Sequence, residues 1–205
     1  QPGLIEVDRA VHGKNQNYLT PENRVPEKTL PYPWESCITS GGGWSYTPDA
    51  KYLTGREGIH MLIDIVAKGG NLLLNVAPSP DGEWQQGAYD LLTAYGEWLD
   101  INGAGIYNTK PIEPFKEKNI CMTQNKDDNV FLFYMAKEGE DKIPSEVIVN
   151  TIAPKKGTRI IMLGSKIKLK WEKLEEGFKV MIPETLRNNL PCKEAWTLRI
   201  DKINR

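Results

Sequence analysis

The chain has 205 residues, 40% of them hydrophobic and 26% charged, the proportions of one large or two small folded domains and not of a disordered segment. A formal net charge of −1 supplies no field to draw in nucleic acid or an anionic membrane surface, and no apolar run approaches the ~20 residues a membrane-spanning helix needs. Three widely spaced cysteines (Cys37, Cys121, Cys192) without a Cys-x-x-Cys pair, and only two histidines, argue against a zinc site or a disulfide framework, although one pair of cysteines could still bridge.

Residues 3–7 are a short apolar-rich run between Pro2-Gly3 and Asp8 and read as a strand. No initiator Met and no basic-then-apolar leader precede this run, so the chain is expected to be a piece of something longer. Residues 34–39 read as a second strand, set off by the breaker Pro31-Tyr32-Pro33. Residues 56–68 place Ile59, Leu62, Ile63 and Val66 at i, i+3, i+4 and i+7, which predicts a helix stopped by Gly69-Gly70. Residues 71–76 are nearly continuous in apolar side chains, the pattern of a strand covered on both faces. After a turn over 78–82, a second helix over about 87–102 carries Leu91, Leu92, Tyr95, Trp98 and Leu99 on one stripe and closes at Asn102-Gly103. Strand and helix alternating at these spacings predict βαβ units and a parallel sheet. About three such strands are visible, too few to close a β/α barrel, which runs to ~250 residues.

From Lys110 onward the period changes to two. Residues 130–134, 146–150, 159–163, 167–171, 178–182 and 196–200 are short runs rich in Val, Ile, Phe and Trp, separated by turns such as Lys126-Asp127-Asp128-Asn129 and Glu175-Glu176-Gly177. Such spacing predicts an antiparallel β-sandwich. The stretch from Pro111 to Pro114 reads as the linker. The expected architecture is therefore α/β over residues 1–109 followed by an all-β domain over 110–205.

Candidate chemistry concentrates in the first part. Glu22 lies in Tyr18-Leu19-Thr20-Pro21-Glu22, an irregular segment between two strands, and is either a general acid on a catalytic loop or a solvated glutamate. Glu35, in a strand beside Trp34, needs a hydrogen-bonding partner if buried and reads first as structural. Arg9 at the end of the first strand either binds a carboxylate or sugar hydroxyl or forms a surface pair. Trp44, after Gly41-Gly42-Gly43, either stacks on the apolar face of a sugar or folds back on the core. The glycines are no phosphate loop, because no Lys-Ser/Thr follows them, and His12 and His60 lack a nucleophile motif.

Taken in order, several of these stretches resemble the C-terminal half of the glycoside hydrolase family 29 α-L-fucosidases. They are Val7-Asp8-Arg9, Thr20-Pro21-Glu22, Pro33-Trp34-Glu35-Ser36-Cys37, Gly43-Trp44-Ser45-Tyr46, the run from Val66 through Lys68-Gly69-Gly70-Asn71 to Pro78, and Gly96-Glu97-Trp98-Leu99 leading to Asn102-Gly103 and Ile106-Tyr107. The resemblance implies a (β/α)8-type barrel followed by a β-sandwich, and a retaining exo-fucosidase that works with a nucleophile and an acid/base and needs no cofactor or metal. It implies Glu22 as the acid/base, Arg9 as a substrate-binding arginine and Trp44 as the aromatic against the fucose ring and its methyl group. Ser45 stands where the family's Trp-Gly-Tyr has glycine, which is expected to shift that loop.

The family's nucleophilic aspartate lies on an earlier barrel strand, and Asp8 is too close to Arg9 to be that residue. The expected partners are thus a fucosylated glycan and the N-terminal half of the same enzyme, with no nucleic acid or membrane, and the chain alone is expected to be inactive. The family places such enzymes in extracellular, periplasmic or lysosomal space. The alternative is a non-catalytic carbohydrate-binding or structural module in which Trp34, Trp44 and the sandwich offer stacking surfaces.

Overall fold

The computed structural model describes residues 1–7 and 13–204. By packing, the chain divides into two compact units, Gln1–Tyr95 and Gly96–Arg205.

In the first unit, β1 (Trp34–Thr39) lies parallel to β2 (Gly70–Asn75) in unbroken register from Trp34↔Gly70 to Thr39↔Asn75. Residues 19–22 continue this ladder on the other edge of β1. There Leu19 pairs with Trp34 and Glu22 with Cys37, both in parallel, and Glu35 and Cys37 donate their N–H groups to the carbonyls of Leu19 and Pro21. The crossover from β1 to β2 is α1 (Gly55–Ala67). Its start is fixed by a reciprocal cap: Glu57 donates its backbone N–H to Thr54 Oγ1 at 3.2 Å, and Thr54 donates its own to Glu57 Oε2 at 2.8 Å. Its end is fixed by Gly69, whose φ of +83° is costly for any residue with a Cβ.

Alternation along the strands gives this sheet two unlike faces. Pro21, Trp34, Ser36 and Ile38 are buried on the face that α1 covers with Ile59, Leu62, Ile63 and Ile65. The opposite face carries Thr20, Glu22, Glu35, Cys37, Thr39, Asn71, Leu73 and Asn75, all half-buried or exposed.

Two expectations fail in this unit. Residues 3–7 form no strand. Leu4 turns back onto the Gln1 carbonyl, and the Asn17 side-chain amide bonds the backbone of Leu4 and Glu6 at 2.7 and 2.8 Å where a neighbouring strand would otherwise pair. The run at 71–76 is not covered on both faces: Leu73 is 48% exposed, so its apolar continuity does not report two-sided burial here.

The helix α2 (Gln86–Asn102) begins in the first unit, and its residues from Gly96 belong to the second. A single 3-10 turn, Gly103–Gly105, follows it. The remaining elements are β3 (Thr109–Glu117), β4 (Ile120–Asn125), β5 (Val130–Met135), β6 (Glu146–Val149), β7 (Ala153–Pro154), β8 (Ile160–Met162), β9 (Lys170–Lys173), β10 (Phe178–Met181), α3 (Glu184–Arg187), β11 (Ala195–Ile200) and β12 (Ile203–Asn204). Among them are a five-stranded sheet, β3-β4-β5-β11-β8, and a three-stranded one, β6-β10-β9, both antiparallel, with β7 and β12 paired separately.

Met122, Leu132, Trp196 and Leu198 from the larger sheet and Val147, Val149, Phe178 and Val180 from the smaller share one buried cluster, the core of a β-sandwich. The outer face of the larger sheet is buried as well. Trp98 of α2 packs its ring 6.1 Å from that of Phe133 and donates its indole N–H to the Ala195 carbonyl at 2.9 Å, while Thr123 Oγ1 donates to the Gly105 carbonyl.

The expected linker at Pro111–Pro114 is instead strand. Both prolines lie in β3, which is the edge of its sheet and shifts register between Pro111 and Lys116. An edge and an irregularity are where a residue without an N–H is tolerated. β4 gives no alternating signal because five of its six positions are buried. All three cysteines are free. Among the described residues no helix is long and apolar enough to cross a membrane, and no three His, Cys, Asp or Glu side chains group as metal ligands.

Candidate active site

Residues 19–22 leave the sheet at Asn23, whose φ is 47°. Glu22 is therefore the last residue of its extended segment, at the carboxyl end, on the open face and in register with Cys37. The turn beyond Glu22 is tied back to β1. Asn23 donates its N–H to the Cys37 carbonyl at 2.8 Å, and its Oδ1 accepts the Thr39 N–H at 3.1 Å. Ser36, buried on the opposite face, donates Oγ to the Arg24 carbonyl at 2.9 Å.

Trp44 lies in the loop that leaves the same end of β1. The loop is pinned at its base, where Gly41 bridges Tyr52 and Ser40 donates its N–H to the Asn75 carbonyl. Asn75, the last residue of β2, donates its side-chain amide to the Trp44 carbonyl at 3.2 Å, and Gln85 donates to the Thr47 carbonyl at 2.8 Å. With its backbone fixed in this way, the Trp44 indole stands 41% exposed and does not fold back on the core. Ser45 is not among the residues with positive φ, so this loop conformation does not require a glycine there.

Glu35 sits two residues before Cys37 on the same open face, in register with Asn71. The Tyr18 hydroxyl is held above its ordinary pKa by partial burial and by the Glu35 carboxylate, against the opposing pull of a hydrogen bond with Asn71. The open face thus presents the Glu22 carboxyl group at the carboxyl end of its segment, with a phenol, a carboxylate and an amide deeper along it, and the exposed Trp44 indole stands on the loop that leaves the same end of β1. The carboxyl ends of strands are where βα units carry their chemistry.

Glu22 and Trp44 are brought to the same end of the sheet. Arg9, with Asp8 and His12, lies outside the described residues, and His60 lies on α1. Sequence reasoning does not single out Tyr18 and Asn71 as a pair. The available signal is period-two alternation, which puts residues 18, 20 and 22 on one face.

The family model "Alpha-L-fucosidase" matches residues 1–104, and "Alpha-L-fucosidase C-terminal domain" matches residues 114–201. Tissue alpha-L-fucosidase of Rattus norvegicus is 30% identical over 201 residues, which are 93% of this chain and 42% of that protein. The chain therefore spans well under half the length of this relative. The alpha-fucosidase of Thermotoga maritima in complex with fucose aligns with a TM-score of 0.76 at 22% identity, over 92% of this chain and 43% of that one. A family 29 alpha-L-fucosidase of Bacteroides thetaiotaomicron, trapped as a covalent intermediate with 2-fluoro-fucosyl fluoride, aligns with a TM-score of 0.74 at 22% identity, over 92% of this chain and 42% of that one. At such identity these structures establish the shared fold.

Proposed function

This chain belongs to the alpha-L-fucosidase family, and from that premise we propose that it carries the general acid/base, Glu22, of a retaining glycoside hydrolase that removes terminal α-L-fucose from glycans. The observation that carries the assignment is the place of Glu22: last in its extended segment, at the carboxyl end and on the face that α1 leaves open. In the first step Glu22 gives its proton to the glycosidic oxygen as the bond to the leaving group breaks and a carboxylate nucleophile takes the anomeric carbon. In the second, Glu22 takes a proton from water as the fucosyl–enzyme bond is hydrolysed. The covalent intermediate trapped in the Bacteroides thetaiotaomicron relative supports this two-step course.

The nucleophile is an aspartate supplied by the part of the family's length that this chain does not span, with its carboxyl ~5 Å from that of Glu22. The same part supplies the remaining strands of a (β/α)8-type barrel, of which residues 19–22, β1, α1 and β2 are a portion. Trp44 packs its exposed indole against the ring and methyl group of fucose, and Arg9 binds sugar hydroxyls. An extracellular, periplasmic or lysosomal setting goes with this reading.

The test is Glu22→Gln in the protein in its full-length, naturally expressed form. Hydrolysis of fucosides with poor leaving groups is expected to fall by ~10²–10⁴-fold, with activated aryl fucosides much less affected in their first step. Azide, which needs no general base, is expected to restore turnover of the activated substrate as fucosyl azide. If poor leaving groups are hydrolysed as fast as before, Glu22 is not the acid/base and Glu35 is the next residue to change.

A further inference from the structure

Lys68 is only 7% exposed, an uncommon depth for an ammonium group. It follows the last residue of α1, and its Nζ has two partners: the Asp64 carboxylate one helical turn earlier, and the backbone carbonyl of Pro26 at 2.8 Å. A Lys–Asp pair on a helix surface needs no such burial, and removing charges from water is costly. The buried placement adds a fixed donor aimed at a carbonyl four residues after Glu22. Pro26 has no N–H and can only accept.

The segment after Glu22 is therefore fastened along its length. Asn23 is held by Cys37 and Thr39, Arg24 by Ser36, and Pro26 by Lys68. The first two anchors come from β1. The last comes from the far end of α1, which brings the helix into the placement of the turn. A one-residue slip of residues 19–22 against β1 would carry Glu22 from the open face to the face that α1 covers, and an anchor downstream of the turn resists that slip.

We propose that Lys68 is a positioning residue for Glu22: with Asp64 it clamps the Pro26 carbonyl and holds the 23–26 turn so that Glu22 keeps its register opposite Cys37. The inference rests on Glu22 as the acid/base and adds the device that keeps it in place.

The experiment compares Lys68→Met with Glu22→Gln in the full-length, naturally expressed protein. Small displacements of a catalytic group cost up to ~10²-fold. In Lys68→Met, kcat/KM for fucosides with poor leaving groups, which reports the first step, is therefore expected to fall at least ~10-fold, while kcat/KM for activated aryl fucosides stays within about twofold and azide restores any loss in their kcat. Amide exchange at Asn23 and Arg24 is expected to quicken, with exchange in β5 and β11 unaltered. Because Lys68→Met leaves the Asp64 carboxylate without its ammonium, Asp64→Asn/Lys68→Met is the companion variant. It removes the clamp and the charge pair together, and the same pattern is expected from it. Equal losses of kcat/KM for good and poor leaving groups, or unchanged exchange over residues 23–25 in the companion variant, overturn the positioning role. If Glu22→Gln itself shows no leaving-group dependence, the acid/base assignment fails; the exchange arm still decides whether Lys68 holds the turn.

Discussion

Four consecutive residues, Lys68-Gly69-Gly70-Asn71, each meet a different physical demand. Lys68 donates to the Pro26 carbonyl, Gly69 takes φ +83° to end α1, and Asn71 meets Tyr18 on the open face. Gly70 opens β2 beneath Trp34, where an added Cβ would lie 2.4 Å from the indole Cζ2. That ring is 1% exposed, and it is a rigid plane with little room to withdraw. Gly70→Ala is expected to destabilise the first unit by ~2–3 kcal/mol through overpacking, read as a lowered denaturant midpoint at constant m-value. A change under ~0.5 kcal/mol would mean that Trp34 repacks freely. The order of these residues is visible in the sequence, and so is the helix stop. The clamp and the close approach are not, because both depend on residues 36 and 42 positions earlier in the chain.

At the scale of elements, the sandwich is joined at one edge by a carboxylate. Glu117, last in β3, accepts hydrogen bonds from the Asn150 N–H and side-chain amide and from the Thr151 N–H and hydroxyl, at 2.7 to 3.2 Å, just beyond β6. One side chain of the five-stranded sheet thus satisfies a turn of the three-stranded sheet. Its partial burial alone would raise its pKa, but these donors outweigh that and hold it below the usual carboxylate value of 4.5. With a folded pKa below the unfolded one, the contribution to stability is complete above about pH 4.5 and is lost as pH falls through the folded value. The group is largely solvated, so Glu117→Gln is expected to cost ~1 kcal/mol at pH 7 and to flatten the acid limb of the stability profile. An acid limb unchanged in the variant would show that other carboxylates set it. The strands this device joins are unequally legible. Phe178–Met181 and Ala195–Ile200 announce themselves by β-branched and aromatic runs, whereas β3 hides behind two prolines that only an irregular edge strand accommodates.

For the molecule as a whole, the two units differ in how completely their sheets are enclosed. β5 is buried at every position and β11 at all but Arg199, because the sandwich core lies on one side and α2 on the other. In the first unit only one face of the parallel ladder is covered. Among the described residues β2 pairs with β1 alone, and Leu73 stands in the open. The strands β1, β2, β5 and β11 are legible from sequence by their length and their apolar, β-branched and aromatic content. Enclosure is not, because the same apolar run serves a strand covered twice or once.

Amide exchange reads enclosure directly, since local opening is easiest where few contacts must be broken. In this 205-residue polypeptide by itself, amides of β5 and β11 are expected to exchange at least ~100-fold more slowly than those of β2, a difference of roughly 2.7 kcal/mol in opening free energy. The proposed barrel, once completed in the full-length protein, would cover the open face and pair the free edge of β2. Protection there is then expected to rise towards that of β1, with β5 and β11 unchanged. If β2 exchanges equally fast in both, its second edge stays unpaired in the full-length protein, and the barrel placement of residues 19–22, β1 and β2 fails with it.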